Sequence, residues 1–170
     1  MSTRFKGDVD SDCLLSVDAI DFMTPKTLER SIWNHKCWAP GLRYEVALCI
    51  ETGDICWIKS PYKCGKLNDI IIFRHSFMLE LEEGERIEAD DGYVGETPRY
   101  IKYPKSFTKD NNCELAQSLV RNRQEPVNSR LKYWEILEHM YQHNISKHGD
   151  VFRSITVITP LALSHGKRLF

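Results

Sequence analysis

Polar and apolar positions alternate at strand spacing in the first third of the chain and recur at helical spacing further on. "CLLSVDAIDFM" (13–23) is apolar, bounded by polar residues, and carries Asp18 in its middle, which predicts a strand. Residues 24–40, "TPKTLERSIWNHKCWAP", are bracketed by prolines and hold two tryptophans; they predict a connecting segment. "GLRYEVALCI" and "ICWIKSPY" flank "ETGD" and predict a hairpin. Both hairpin faces are apolar, with Tyr44, Val46, Leu48 and Ile50 on one and Ala47, Cys49 and Ile58 on the other. Such a pair belongs in the middle of a sheet, covered by helices on each side.

"KLNDIIIFRHSFMLELEEG" (66–84) predicts a helix, with Asn68 or Asp69 as N-cap and Gly84 as its stop, although its Ile-Ile-Ile-Phe run also suits a strand. "ERIEADDGY" predicts a fourth strand, and "PRYIKYP" (98–104) a short fifth closed by proline. After a loop at "SFTKDNNC", residues 113–143 carry Leu115, Leu119, Val127, Leu131, Trp134 and Leu137 at helical spacing. "DVFRSITVITPLAL" (150–163) fits helix or strand, and no internal repeat interrupts the order. The expectation is one α/β domain over 1–170, a mixed five-stranded sheet with helices on both faces.

Composition narrows the class. With 42% hydrophobic and 28% charged residues, the chain reads as globular and soluble rather than disordered. No apolar run approaches the roughly 18–20 residues that span a bilayer, and "MSTRFKGDVDSD" lacks the apolar core of a signal peptide. No membrane partner and an intracellular location are therefore expected. The net charge of −1 gives no global basic field to attract nucleic acid. Locally, however, "RNRQEPVNSRLK" (121–132) is strongly basic. The six cysteines form no C-x-x-C pair, so reduced thiols are expected rather than a structural zinc site. A two-residue turn at "ETGD" would set Cys49 opposite Cys56.

"RIEADDGYVG" (86–95) ends an alternating run in two adjacent carboxylates and a glycine. That is an ordinary strand exit, or one carboxylate holds a metal ion. Asp18 on the first strand, Asp90 at the end of the fourth and Glu125 on the long helix are three acids on three elements. Two-metal phosphoryl chemistry needs such convergence, with hard oxygen ligands for magnesium. With 24 Asp and Glu residues many triples exist, so charge counting alone does not select this one. Arg121, Glu125 and Lys132 share a helix face at about 100° per residue, and Arg123 and Arg130 add charge nearby. An Arg121–Glu125 salt bridge, worth a few tenths of a kcal/mol, explains the same spacing. His139 and His143 are four apart but lack the following glutamate of a zinc motif. Trp33, Trp38, Trp57 and Trp134 have base stacking as a possible use and packing as the default.

Taken in order, these blocks resemble the catalytic domain of DDE-type transposases, in the Harbinger-like branch of the DDE superfamily endonucleases. "SVDAIDF" looks like the family's first-strand "VDGT" motif and places its first acid at Asp18. "CGKLNDIIIFR" is similar to the block that carries a further aspartate, here Asp69. "EADDGY" resembles the "D-x-G-Y" block with the second acid at Asp90, and "RNRQEPVNSRLK" the helix with the last acid at Glu125. The 34 residues between Asp90 and Glu125 match the usual spacing. Arg121, Glu125 and Lys132 also fit the last three positions of the tyrosine–arginine–glutamate–lysine signature of related insertion-sequence enzymes, with Ser118 in place of the tyrosine.

The resemblance implies a ribonuclease-H-like fold, a two-metal Mg²⁺ or Mn²⁺ site, and DNA strand cleavage and transfer at transposon ends. It assigns Asp18 to both ions, Asp90 and Glu125 to one each, and Asp69 to an added ligand or helix cap. Arg121, Arg123, Arg130 and Lys132 become phosphate contacts. It leaves room for a homo-oligomer, and implies a nuclear location in a eukaryote and a cytoplasmic one otherwise. Three departures stand out. Only 17 residues precede Asp18, too few for the family's N-terminal DNA-binding region, so an accessory DNA-binding protein or a truncated copy is expected. Ala19-Ile20 replaces Gly-Thr, and Pro126 directly follows Glu125. A proline within a helix costs about 3 kcal/mol, which raises a second expectation: an inactive, transposase-derived fragment that binds DNA or protein.

Overall fold

The computed structural model describes residues 13–25, 29–102 and 111–164, and in the long helix its side chains from Asn122 onward. Six strands form a mixed sheet: β1 (Leu15–Met23), β2 (Trp33–Asn34), β3 (Ala39–Cys49), β4 (Ile55–Lys63), β5 (Ile87–Ala89) and β6 (Ile101–Lys102). β3 lies between β1 and β4 and is antiparallel to both, while its first residues pair with β2. On the far side of β1, β5 and then β6 run parallel. The helices are α1 (Asp69–His75), α2 (Asn111–Lys132), α3 (Glu135–Glu138) and α4 (His148–Ser164).

The doubly apolar hairpin predicts a covered central strand, and β3 is buried from Pro40 through Leu48. Tyr44, Val46 and Leu48 join Ile20, Phe22, Val127, Leu131 and Phe152 in one core, under α2 and α4. Ala47 joins Val17, Trp57, Phe73, Phe77 and Tyr93 in a second core, under α1. The strand period of two thus sends alternate side chains into two separate cores. No helix among the described residues is long and apolar enough to cross a membrane.

Several elements differ in extent from the sequence reading. The helix expected over 66–84 stops at His75, and a short 3-10 helix, Phe77–Glu80, follows. Ser76 breaks it: its hydroxyl donates to the Ile72 carbonyl and to buried Glu45, and its backbone leaves the helical region. Asn68 is the N-cap, its side chain accepting from Ile71 N at 3.3 Å. The long helical pattern divides into α2 and α3 around Tyr133 and Trp134, and "DVFRSITVITPLAL" is helical. The hairpin connection is longer than two residues, with Cys49 N–H donating to the Asp54 carbonyl. The β3–β4 register shifts so that Leu48 pairs with Ile55 and Ala47 with Trp57, leaving Cys56 in the irregularity rather than opposite Cys49.

Candidate active site

Along β1 the residues facing α2 are Ser16, Asp18, Ile20 and Phe22. Ser16 Oγ accepts from Gln124 Nε2 at 3.0 Å, and Asp18 Oδ2 accepts from Asn128 Nδ2 at 3.1 Å. Val127 and Leu131 continue the same helix face into the core. Residues 124, 127, 128 and 131 follow the helical repeat, so one stripe of α2 is laid along β1. Arg123, beside that stripe, pairs with Glu88 of β5.

β5 brings the second acid. Its parallel register sets Ser16 beside Glu88 and Val17 beside Ala89. One further step places Asp90 at the strand's end, next to Asp18. The charge of Asp90 and burial, the larger effect, push the Asp18 carboxyl up to about 6, against hydrogen bonds from Ala19 N and Asn128. Asp90 Oδ1 accepts from Gly92 N at 2.9 Å and so starts the 3-10 segment Asp91–Glu96. Asp91 is exposed on that segment.

Asp69, the first residue of α1, is the third acid of the group. A Cβ on Gly92 would lie 3.0 Å from Asp69 Oδ2 and 3.1 Å from Asp90 Oδ1, so those oxygens are at most about 6 Å apart. Only a glycine lets the backbone pass between the two carboxylates without displacing them. Asp69 Oδ1 accepts from Arg43 Nη1 at 2.7 Å, and the same guanidinium forks onto Asp21 through Nε at 2.7 Å and Nη2 at 2.8 Å. Burial raises the Asp69 carboxyl, while Arg43 and Lys36 oppose the shift.

The remaining residues singled out in the sequence are dispersed. Glu125 is exposed on α2, and the residue of that helix that touches Asp18 is Asn128, three positions later. Arg130 lines a cleft of about 300 Å³ with Thr52, Asp54, Val127 and Pro160, beside the hairpin tip. Lys132 Nζ sits 6.0 Å from the centre of the Phe22 ring. The Arg121 side chain lies outside the described residues. Among the described residues, no group of three or more His, Cys, Asp and Glu side chains has the spacing of a metal site. Asp18 and Asp90 supply carboxylate oxygens at neighbouring strand positions, and the charge of Asp90 disfavours the ionised form of Asp18.

Sequence reasoning missed the buried polar layer beneath these acids. Glu45 is fully buried, takes a hydrogen bond from Ser76 on Oε2, and has no partner on Oε1. Burial pushes its carboxyl up to about 7. Tyr93 is buried with its hydroxyl likewise unpartnered, and Glu45, Asp18, Asp69 and Asp90 all act on it electrostatically. The available signal was Arg43 and Glu45 within "GLRYEVALC": charges in a strand with two apolar faces need buried partners. The chain matches no protein-family model, no curated protein and no solved structure.

Proposed function

We propose that this chain is a divalent-metal-dependent DNA endonuclease of the DDE transposase type, on a ribonuclease-H-like sheet. The observation that carries the reading is the placement of Asp18 and Asp90 at neighbouring positions of parallel strands. The fold reading has support in three long antiparallel strands, two short parallel ones and helices on both faces. Asp18 and Asp90 would hold Mg²⁺ or Mn²⁺, and Glu125, exposed on α2, would join them only by turning its side chain toward β1. The bound metal would activate a water or 3′-hydroxyl nucleophile and stabilise the leaving oxygen. The chain itself fixes the acids: Ala19 N and Asn128 hold both oxygens of Asp18, and Gly92 N holds Asp90. Arg121, Arg130 and Lys132 would position phosphates of the transposon end.

A second reading is a catalytically inactive fragment that retains binding. It is favoured by one contact, the neutral Asn128 where α2 meets Asp18, together with the exposed position of Glu125. Nicking of supercoiled DNA with Mg²⁺ or Mn²⁺ separates the two. The endonuclease reading expects nicking by the wild type and a loss of at least a hundredfold in Asp90→Ala. Equal nicking by both proteins would sink the acid pair, and no nicking by either would leave the inactive fragment.

A further inference from the structure

Glu45 and Ser76 pose a hydrogen count that neither the acid pair nor the two cores resolve. Ser76 Oγ lies 2.5 Å from Glu45 Oε2 and 2.6 Å from the Ile72 carbonyl oxygen, and all three residues are buried. A serine hydroxyl carries one hydrogen, and contacts this short leave no room to share it between two acceptors. With Glu45 ionised, one of the two contacts would press two oxygens together with no hydrogen between them. A proton on Glu45 removes the conflict: Glu45 donates to Ser76, and Ser76 donates to Ile72. The surroundings favour that proton. Glu45 Oε1 has no hydrogen-bond partner among the described residues, and Arg43, two positions earlier on β3, is committed to Asp21 and Asp69. Lys59, the register partner on β4, is exposed, as are Arg74 and His75 at the end of α1; the partner on β1 is the neutral Ala19. Asp69 on α1 disfavours a charge on Glu45, and Tyr62 of β4 and Tyr93 face it as neutral phenols. Ser76 and the Phe77 N–H favour the ionised form, and burial outweighs both.

We propose that Glu45 and Ser76 form a proton switch on the junction between α1 and the 3-10 helix Phe77–Glu80. With the proton in place, the Ser76 hydroxyl closes on the Ile72 carbonyl, one of the last four of α1, which an ending helix leaves without intrahelical partners. When the proton leaves to solvent, Ser76 turns its hydrogen to the carboxylate, and the Ile72 carbonyl loses the hydroxyl that caps it. A buried charge and an uncapped carbonyl both favour opening of the junction, because opening brings water to each. α1 begins at Asp69, so the switch acts on the element that carries one acid of the candidate site. It stands on the fold, whether or not the chain cuts DNA.

The experiment follows the full chain by carbon-13 NMR without metal across acid to mildly alkaline pH, in wild type, Glu45→Gln and Ser76→Ala. It reads the side-chain carboxyl carbon of Glu45 and the carbonyl carbon of Ile72. Burial pushes the Glu45 carboxyl from 4.5 up to about 7, so both carbons should titrate together in wild type with one midpoint in the neutral range. The Ile72 response vanishes in Glu45→Gln, and it shrinks severalfold in Ser76→Ala while Glu45 still titrates. Amide hydrogen exchange gives a second reading at Ser76 and Leu79, whose N–H groups donate to the Phe73 and Ser76 carbonyls across the junction. Corrected for the intrinsic base-catalysed rate, their protection falls about tenfold per pH unit between 4.5 and about 7, levels off above, and stays flat in Glu45→Gln. A Glu45 midpoint near 4.5 overturns the proposal, and so does an Ile72 carbon that ignores the Glu45 midpoint. An Ile72 titration that survives Glu45→Gln assigns the response to His75, and one unchanged in Ser76→Ala assigns it to the field of a nearby charge; either overturns the switch. The wild-type readings alone decide where a variant does not fold.

Discussion

Glu45 sets the terms at the scale of single residues. It is fully buried in a central strand, with one oxygen bound by Ser76 and the other without a partner. Its folded pKa, about 7, stands above the ordinary value of 4.5. Between those values the folded chain holds a proton that the unfolded chain has released. Stability therefore falls as pH rises through that window, and the full penalty applies above about 7. A shift of this size corresponds to about 3 kcal/mol. Glu45→Gln keeps an acceptor for Ser76 and removes the charge. The variant should melt several degrees higher than wild type at pH 8, and the two curves should converge near pH 4.5. A constant difference across pH would mean that shape, not charge, separates them. Asp18 behaves differently, because its elevated pKa has a second cause in Asp90 that a cation can cancel.

Among the elements, α2 carries the sharpest conflict between local propensity and tertiary contact. The helix continues from Asn111 to Lys132 with Pro126 inside it. A proline there has no N–H for the Asn122 carbonyl, and its ring crowds the preceding turn. What holds the helix through this point is its footing on the sheet: Gln124 on Ser16, Val127 in the core and Asn128 on Asp18. Pro126→Ala should restore the helical bond and raise stability by about 1–3 kcal/mol, read by urea denaturation. A destabilised variant would show instead that a proline-set bend is what seats Asn128 on Asp18. The elements themselves were legible to different degrees. The doubly apolar β3 announced its central position, and the Val127 and Leu131 spacing announced the long helix, while Trp134 and Leu137 fall beyond its end. The end of α1 at Ser76 was hidden, because the break depends on Glu45, 31 residues earlier, accepting the serine hydroxyl. The Cys49–Cys56 juxtaposition failed because the turn is longer and the strand register slips, neither of which alternation alone encodes. At the site, charge counting did not select Asp18 and Asp90 from 24 acids; the motif resemblance did, and the β1–β5 register sets one in mid-strand beside the other just past a strand end. Asn128 was not readable, since its place on the helix face matters only once α2 is laid on β1.

At the scale of the whole molecule the net charge is only −1, so no strong general field gathers divalent cations, and a specific response has to be separated from binding at scattered carboxylates. Asp18 and Asp90 are brought together only when the parallel β1–β5 register forms, so a cation held by both binds the folded chain and not the unfolded one. Such binding stabilises by mass action, by about 2.7 kcal/mol at a hundred times the dissociation constant. For a chain of this length each kcal/mol moves the melting temperature by about 2–4 °C. At pH 8, Mn²⁺ should therefore raise the melting temperature by several degrees in wild type and by almost nothing in Asp90→Asn. Protons compete for the same oxygens, and burial together with Asp90 pushes the Asp18 carboxyl up to about 6. The rise should thus shrink as pH falls through 6 and be small at pH 5, while Glu45→Gln, which leaves both acids in place, should retain it. An equal rise in Asp90→Asn, or one that ignores pH, would assign the effect to scattered surface carboxylates.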